Sequence, residues 1–182
     1  MRHLTTEELE AGLPHVGEAP ADAGTVEMIV RRPAVDEREL LEEAELRLDV
    51  GLAGDTWPDR PSRHTDDGGP DPGRQVAVMS ARAVDLVAGQ RDRWPLAGDQ
   101  LYVDLDIGED NLPAGTRLAV GTAVLEVTAQ PHRGCVKFRA RFGADAMRFV
   151  NSPAGLELRL RGVNTTVVEP GIVRRGDAVK KL

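Results

Sequence analysis

The sequence of 182 residues has a single cysteine and few aromatic side chains, which make up 3% of its residues. One cysteine excludes an internal disulfide, and the absence of Cys-x-x-Cys and His-x-x-x-His pairs argues against a structural zinc site. No apolar run approaches the roughly 18 residues of a membrane span, and the N-terminus lacks the apolar stretch of a secretory signal. We therefore expect a cytoplasmic protein that does not engage a membrane.

Positively charged residues are fewer than negatively charged ones, 23 Lys or Arg against 30 Asp or Glu, and they are unevenly distributed. The formal net charge of -7 argues against a nucleic acid as partner. Residues 131–182 carry eleven Lys or Arg residues against four Asp or Glu residues, a net charge of +7, so the first 130 residues sum to -14. The cysteine lies at the start of the basic part, where guanidinium groups stabilise a thiolate and attract an anionic ligand.

Short segments of alternating apolar and polar residues predict a domain built mainly of β-strands. Strands are predicted at residues 25–33, 44–50, 74–80, 100–107, 116–120, 122–129, 156–160 and 165–169, and at the C-terminus. In the first of these, Val26, Met28 and Val30 are expected on one face. The fold class that follows is mostly β with short flanking helices (α+β), arranged as a barrel.

Helices are predicted where capping residues precede apolar periodicity. Thr5 and Glu8 form the pattern of a capping box before a helix over 5–11. Ser80 can cap a helix that ends at Gly89. After the cysteine, Gly143 is expected to separate two short helices.

A segment rich in Gly, Pro and Asp occupies residues 51–73 and has almost no apolar periodicity. Loops of this length inside a compact domain are uncommon and often functional. We expect residues 51–57 to be ordered and residues 60–69 to be mobile.

The sequence QPHRGC, residues 130–135, contains the cysteine. A free cysteine often fills a core as a small hydrophobic residue. Here Gly134 permits a close approach of the backbone to a ligand, and His132, Arg133 and Lys137 offer positive charge or hydrogen bonds. These neighbours favour a reactive or metal-ligating Cys135 over a buried filler.

A Cys–His hydrolase is another interpretation of the same residues. Cys135 could pair with His64 or with His132, but no third residue that would orient the imidazole can be identified.

The order of several motifs resembles the MOSC family, whose domains are similar to the C-terminal part of molybdenum cofactor sulfurase. The motifs are GLAGD, RQVAVMS, IGEDNL, LAVGTAVLEVT, the cysteine loop and RLRGVNTTVVEPGIVRRGDAV. The resemblance divides the chain into an N-terminal helix and lead-in (1–23) and a MOSC-like barrel domain (24–182). Two departures from the family pattern are Gly134, where proline is usual before the cysteine, and the additional Asp110 in the GEDNL stretch.

The resemblance implies a β-barrel similar to the pyruvate kinase barrel domain and an association with molybdenum cofactor. Cys135 would then be the catalytic residue, either carrying sulfur as a persulfide or ligating molybdenum in a centre that reduces N-hydroxylated compounds. The enzyme classes implied are a cofactor sulfur transferase and a molybdenum-dependent N-hydroxy reductase. The residues expected to bind the cofactor are Arg133, His132, Lys137, Arg139, Asn111 and Asp55.

The partners implied are a small anionic cofactor and a sulfur-donor or redox protein. Pyridoxal phosphate is not expected, because the domain that binds it in the full sulfurase has no counterpart here. A non-catalytic module that binds an anionic ligand, with a structural Cys135, is the alternative from a different functional class.

Overall fold

The computed structural model describes residues 2–182. This part of the chain contains eleven β-strands and five α-helices, joined by loops and short 3-10 segments. The helices are α1 (Thr6–Ala11), α2 (Leu13–Gly17), α3 (Ala81–Ala88), α4 (Val136–Val150) and α5 (Pro153–Glu157). The strands are β1 (Ala23–Arg31), β2 (Glu39–Leu41), β3 (Glu43–Arg47), β4 (Gly51–Leu52), β5 (Val76–Ser80), β6 (Leu101–Asp104), β7 (Arg117–Val120), β8 (Ala123–Val127), β9 (Val163–Glu169), β10 (Gly171–Arg174) and β11 (Ala178–Lys181). In this described part, no helix is long and apolar enough to cross a membrane.

Seven of these strands form a closed barrel, in the order β11-β7-β8-β9-β5-β6-β1, and pairing of β1 with β11 completes the circle. Neighbouring strands are antiparallel except β5 and β6, which are parallel and are connected through α3. Strand β2 pairs with the end of β1, and a small second sheet has the order β10-β3-β4. The predicted mostly-β barrel with short helices is confirmed.

The alternation of side chains along the strands creates two hydrophobic clusters. In β6, Leu101 and Val103 point into the barrel, whereas Tyr102 belongs to a second cluster between the barrel and the helices. The Tyr102 hydroxyl donates a hydrogen bond to the Trp94 carbonyl at 2.8 Å, which satisfies its polar atom within that apolar layer. The N-terminal segment contributes Leu9 to the same outer cluster.

The prediction that Val26, Met28 and Val30 share one face is wrong. The pairing of β1 with β6 shifts register between Val26 and Met28, which marks a β-bulge. The extra residue moves the side chains after it to the opposite face. Val26 therefore lies inside the barrel, while Met28 and Val30 pack against the helices.

Residues 156–160 are also not the predicted strand. Ser152 accepts a hydrogen bond from the Gly155 amide at 3.1 Å and caps α5, and Pro153 occupies its first turn. This local capping outweighs the strand-like alternation of Leu156, Leu158 and Leu160, because a proline at the first helical position favours the helix.

The predicted helix caps are confirmed. Thr5 and Glu8 form the capping box of α1, with the Thr5 amide 2.8 Å from the Glu8 carboxylate. Ser80 caps α3, and Gly143, with a φ of 95°, breaks α4 into two halves.

The segment 51–73 contains β4 and two short 3-10 turns, at Trp57–Asp59 and Pro72–Arg74. Between them the chain folds back locally, and the Ser62 amide donates to the Gly69 carbonyl at 3.1 Å. The mobility of residues 60–69 stays a prediction.

Gly24 lies at the start of β1, where the chain passes close to β6. A Cβ atom on Gly24 would lie 1.8 Å from the carbonyl oxygen of Asp104. We expect Gly24→Ala to lower the free energy of unfolding by about 1–3 kcal/mol, because the clash is with backbone of a paired strand and cannot be relieved by a side-chain rotation. Urea denaturation measures this change.

Gly17→Ala is the matched control, since no atom lies within 4 Å of a Cβ atom at that position. Equal stabilities of the two variants would contradict the steric argument.

Candidate functional site

A cleft of about 490 Å³ lies beside the barrel, and Cys135 lines it together with residues from six other parts of the chain. These parts are the connection after β1, the segment 57–74, strand β5, the end of the 3-10 segment Arg91–Ala97 before β6, the start of α4, and residues 161–164 at the start of β9. The Cys135 side chain is exposed and directly precedes α4 in an extended backbone conformation. It belongs to neither hydrophobic cluster, so the thiol is accessible to a ligand in the cleft.

The cysteine loop is clamped to the far end of α4. The Gly134 amide donates to Asn151 Oδ1 at 3.0 Å, and Asn151 Nδ2 donates to the Gly134 carbonyl at 3.1 Å. A continuous helix of this length would be about 22 Å long, so these two bonds require the break at Gly143. The break folds the second half of α4 back towards the cysteine.

The same clamp explains why glycine precedes the cysteine. A Cβ atom on Gly134 would lie 2.9 Å from a methyl carbon of Val150 and 3.2 Å from the Asn151 amide nitrogen. A proline at this position would also lack the amide proton that Asn151 accepts.

The barrel wall holds the other end of the loop. Asn164 on β9 donates from Nδ2 to the carbonyl oxygens of Gln130 and Pro131, at 3.1 and 3.3 Å. The loop is thus attached on both sides, which orders the backbone that carries the thiol.

Positive charge dominates the cleft. Its cationic lining residues are Arg32, Arg38, Arg60, Arg74, Lys137, Arg141 and Arg161. Only two carboxylates line it. Asp71 pairs with Arg74 at 3.2 Å, and Asp36 bridges Lys137 and Arg141 at 3.1 and 2.8 Å.

Two of these guanidinium groups have no carboxylate partner in residues 2–182. Arg38 donates to the carbonyls of Pro95 and Glu37, and Arg60 donates to the Thr56 hydroxyl. Desolvation lowers the pKa of Arg38, and repulsion from Arg141 and Arg32 lowers it further.

Arg60 shows the same effect on the other side of the cleft. Desolvation lowers its pKa, and repulsion from Arg32 adds to that shift. Guanidinium groups that destabilise one another in this way favour an anion between them.

A buried ion pair positions Arg32 at the cleft. Asp55 accepts from Arg32 at 2.6 and 2.7 Å, and it also accepts from the backbone amides of Arg32 and Trp57. The Asp55 side chain has no exposed surface and does not line the cleft. The structure therefore gives Asp55 a positioning role, where the sequence predicted a direct cofactor contact.

Within residues 2–182, three buried side-chain atoms lack a hydrogen bond, and they belong to residues at or next to the cleft wall: Asp99 Oδ1, His132 Nδ1 and Arg161 Nε. Asp99 pairs with Arg161 at 2.6 Å, and its other oxygen lies 3.5 Å from His132 Nδ1. Arg161 in turn lies over the ring of Phe138, with its guanidinium carbon 5.1 Å from the ring centroid. These residues connect the barrel wall to the first turn of α4.

Burial lowers the pKa of His132 well below its ordinary value, and repulsion from Arg161 contributes. The imidazole is therefore neutral at neutral pH. Of the two capacities that the sequence suggested for His132, positive charge and hydrogen bonding, a neutral imidazole retains hydrogen bonding.

The structure places the predicted residues in three locations. Cys135, His132 and Lys137 line the cleft. Arg133 lines a second cavity, which it shares with His132. Arg139 lines neither cavity.

Asn111, which the resemblance assigned to the cofactor, does not line the cleft. Its amide donates to the carbonyls of Ala21 and Asp106, and its oxygen accepts from Lys181 at 2.8 Å. These bonds attach the lead-in and the C-terminal strand to the β6–β7 connection. His64, considered as a partner for Cys135, is exposed and does not line the cleft.

Sequence reasoning missed Arg32, Arg38 and Arg60 as cleft residues. They lie more than seventy positions before Cys135, in the acidic part of the chain. The one local signal is the RRP sequence at 31–33, which ends an apolar strand with two arginines. The described residues contain no cluster of three His, Cys, Asp or Glu side chains that could hold a metal ion.

The Asp55–Arg32 pair predicts a large loss of stability for Asp55→Asn. The substitution leaves a buried guanidinium without its counter-charge, which typically costs about 3–5 kcal/mol in free energy of unfolding. Urea denaturation of the variant measures this cost. Asp59→Asn, a change at an exposed aspartate in the next turn, is the control, and a loss below about 1 kcal/mol for Asp55→Asn would contradict the assigned role.

The lowered pKa of the partly buried His132 imidazole predicts a loss of stability on acidification. Below the ordinary pKa of 6.5 the unfolded chain binds a proton that the folded protein does not, so acidification favours unfolding. The contribution is at most about 1.4 kcal/mol per pH unit. Burial raises the pKa of Asp99, so protonation of Asp99 favours the folded state as the pH falls. Because this opposes the effect of His132, a variant is needed to isolate the His132 contribution.

We expect His132→Asn to remove the His132 contribution when unfolding free energies are measured between pH 7 and pH 5. His64→Asn, at an exposed histidine, should retain the pH dependence of the unmodified protein. Parallel pH profiles for the protein and His132→Asn would show that the imidazole is not buried in the neutral form.

Comparison with known proteins identifies the architecture. The family model of the MOSC domain matches residues 64–180. YuaD from Bacillus subtilis superposes with a TM-score of 0.65 at 15% sequence identity, covering 87% of this chain and 95% of that chain. YiiM from Escherichia coli superposes with a TM-score of 0.57 at 18% identity, covering 87% of this chain and 69% of that chain.

YiiM from Geobacillus stearothermophilus has a TM-score of 0.53 at 12% identity, covering 90% of this chain and 74% of that chain. No curated protein sequence matches the chain significantly. The structural likenesses establish a common fold, and the family match covers the strands from β5 onward and the cysteine loop. The chain therefore belongs to the MOSC domain family.

Proposed function

We propose that the arginine-lined cleft binds molybdenum cofactor and that the Cys135 thiolate is its functional group. The observation that carries this proposal is the accessible thiol in a cleft whose cationic residues outnumber its carboxylates. MOSC domains are generally associated with this cofactor, which gives the anion-binding cleft a chemical occupant. A free exposed thiol also suits a reducing compartment, and we assign the protein to the cytoplasm on that ground.

The residues present suit the chemistry of the cofactor. Arg38 and Arg60 carry positive charge that no carboxylate neutralises in residues 2–182, and guanidinium groups bind phosphate oxygens with two parallel hydrogen bonds. The cleft volume of about 490 Å³ lies within the usual range for small-molecule sites. A thiolate is a soft donor suited to a metal or to sulfane sulfur.

Each residue has a separate task in this proposal. Arg38 and Arg60 hold the anionic part of the cofactor, and Arg32 stays aligned beside them through Asp55. Asn164 and Asn151 hold the loop so that Cys135 remains in the cleft. His132 offers a neutral hydrogen-bonding group at the wall.

Cys135 can act in either of two ways. It can carry a sulfane sulfur as a persulfide, received from a donor protein and passed to an acceptor. It can instead ligate molybdenum, in which case the bound cofactor supplies a metal centre that exchanges electrons with N-hydroxylated substrates, and a redox protein restores it. Neither role requires pyridoxal phosphate on this chain.

The alternative, a binding module in which Cys135 is only structural, is less well supported. A structural cysteine is normally buried among apolar side chains. Cys135 is exposed, and it adjoins Val136, whose relative exposure of 81% shows that no core surrounds this part of the loop.

Substitution of the unpaired arginines tests cofactor binding. We expect Arg38→Gln combined with Arg60→Gln to weaken binding at least tenfold, since one charge-assisted hydrogen bond contributes about 1.5–3 kcal/mol. The measurement is the molybdopterin content of protein purified from cells that make the cofactor, together with its dissociation constant.

Arg47→Gln is the matched control, because Arg47 is an exposed arginine on β3 outside the cleft. Unchanged molybdopterin content in the Arg38/Arg60 variant would overturn the proposed location of the cofactor.

Cys135→Ser then separates the two roles of the thiol. Loss of stoichiometric molybdenum indicates ligation, and loss of a cyanide-labile sulfur without any metal indicates sulfur transfer.

A further inference from the structure

A second cavity of about 400 Å³ adjoins the first part of the cysteine loop, residues 130–133. We call it the Arg133–Arg159 cavity. Its polar lining residues include Glu109, Gln130, His132, Arg133, Arg159 and Asn164. His132 and Asn164 also line the cysteine cleft, so they form a common wall, but Cys135 does not line this cavity.

The backbone at Arg159 is strained. Its φ of 47° lies in the left-handed region, which non-glycine residues rarely adopt. The turn is held by hydrogen bonds from the Leu160 amide to Gly155 and from the Gly162 amide to Arg159. Strain of this kind persists where the surrounding structure enforces it, and it is concentrated at functional sites.

The side chain of Arg159 is also unusual for a partly buried cation. Its one hydrogen bond to protein is from Nη1 to the Leu112 carbonyl, at 2.5 Å. Desolvation lowers its pKa, and the more distant Glu109 opposes that shift. No carboxylate in residues 2–182 lies within 4.0 Å of it.

Arg133 is the second guanidinium of the cavity. It is exposed, and its side chain makes no hydrogen bond or ion pair within the described residues. Most arginines of this protein have a carboxylate partner, including the neighbouring Arg148 and Arg161. The cavity holds two guanidinium groups and one carboxylate, Glu109, so its lining carries a net positive charge that favours an anionic ligand.

We propose that the Arg133–Arg159 cavity binds a second small anion, a molecule whose carboxylate or phosphate group lies between these two arginines. Guanidinium groups recognise both anions through paired N–H donors. Glu109 at the edge of the cavity favours a ligand that also carries an N–H or O–H donor. This site is separate from the cysteine cleft, and its occupation does not depend on the cofactor proposal.

Arginine side-chain NMR tests this site directly. The Nε–Hε resonances of ¹⁵N-labelled protein are followed during titration with inorganic phosphate and, separately, with acetate at constant ionic strength. We expect saturable shifts of the Arg133 and Arg159 resonances. A response to phosphate alone identifies a phosphate ligand, and a response to acetate identifies a carboxylate ligand.

Two variants keep the test independent of folding defects. Arg159→Gln should raise the dissociation constant measured at Arg133 at least tenfold, and Arg133→Gln, at an exposed position, should do the same when measured at Arg159. Arg139→Gln is the control, since Arg139 lines neither cavity. The Arg38/Arg60 variant should leave this binding unchanged, which separates failure here from failure of the cofactor site.

Two results would overturn the proposal. One is the absence of a saturable shift at Arg133 and Arg159 with both anions. The other is an unchanged dissociation constant in Arg133→Gln and Arg159→Gln.

Discussion

Pairing of β1 with β11 closes the barrel, and this closure determines where a ligand can bind. The inward side chains of the seven strands fill the interior with a continuous apolar cluster. A small barrel filled in this way has no internal room for a polar ligand. Both cavities therefore lie outside the barrel, where the long segment 51–73, the cysteine loop and the helices cover its wall.

The electrostatics of the cleft follow from which arginines the fold neutralises. Asp55 and Asp99 are fully buried and pair with Arg32 and Arg161, so these cations serve mainly to connect structural elements. Arg38 and Arg60 have no such partner and remain available to an anion. The buried pairs thus order the cleft, and the unpaired guanidinium groups supply positive charge that no carboxylate neutralises in residues 2–182.

The break at Gly143 links the helical layer to the thiol. It lets Asn151 reach the backbone of Gly134, and the short distance between them excludes a side chain at that position. Asn164 holds the same loop from the barrel side. One loop of six residues is therefore attached to two independent elements and lines both cavities.

The sequence by itself determined the features that depend on neighbours along the chain. The capping box of Thr5 and Glu8, the cap at Ser80 and the break at Gly143 were predictable because caps and glycine conformations are local. The ordered MOSC-like motifs likewise identified the family and its barrel.

Only the tertiary structure decided which charges meet. The bulge in β1 reversed the expected face of Met28, and a register shift leaves no signal in alternation. Arg38 and Arg60 lie in a segment of net negative charge, yet folding brings them to Cys135 while Asp55 is withdrawn behind Arg32. The net charge of a segment is obtained by counting residues along the sequence. The electrostatic potential in a cleft depends instead on the distances between charges and on their burial, and long-range packing determines both.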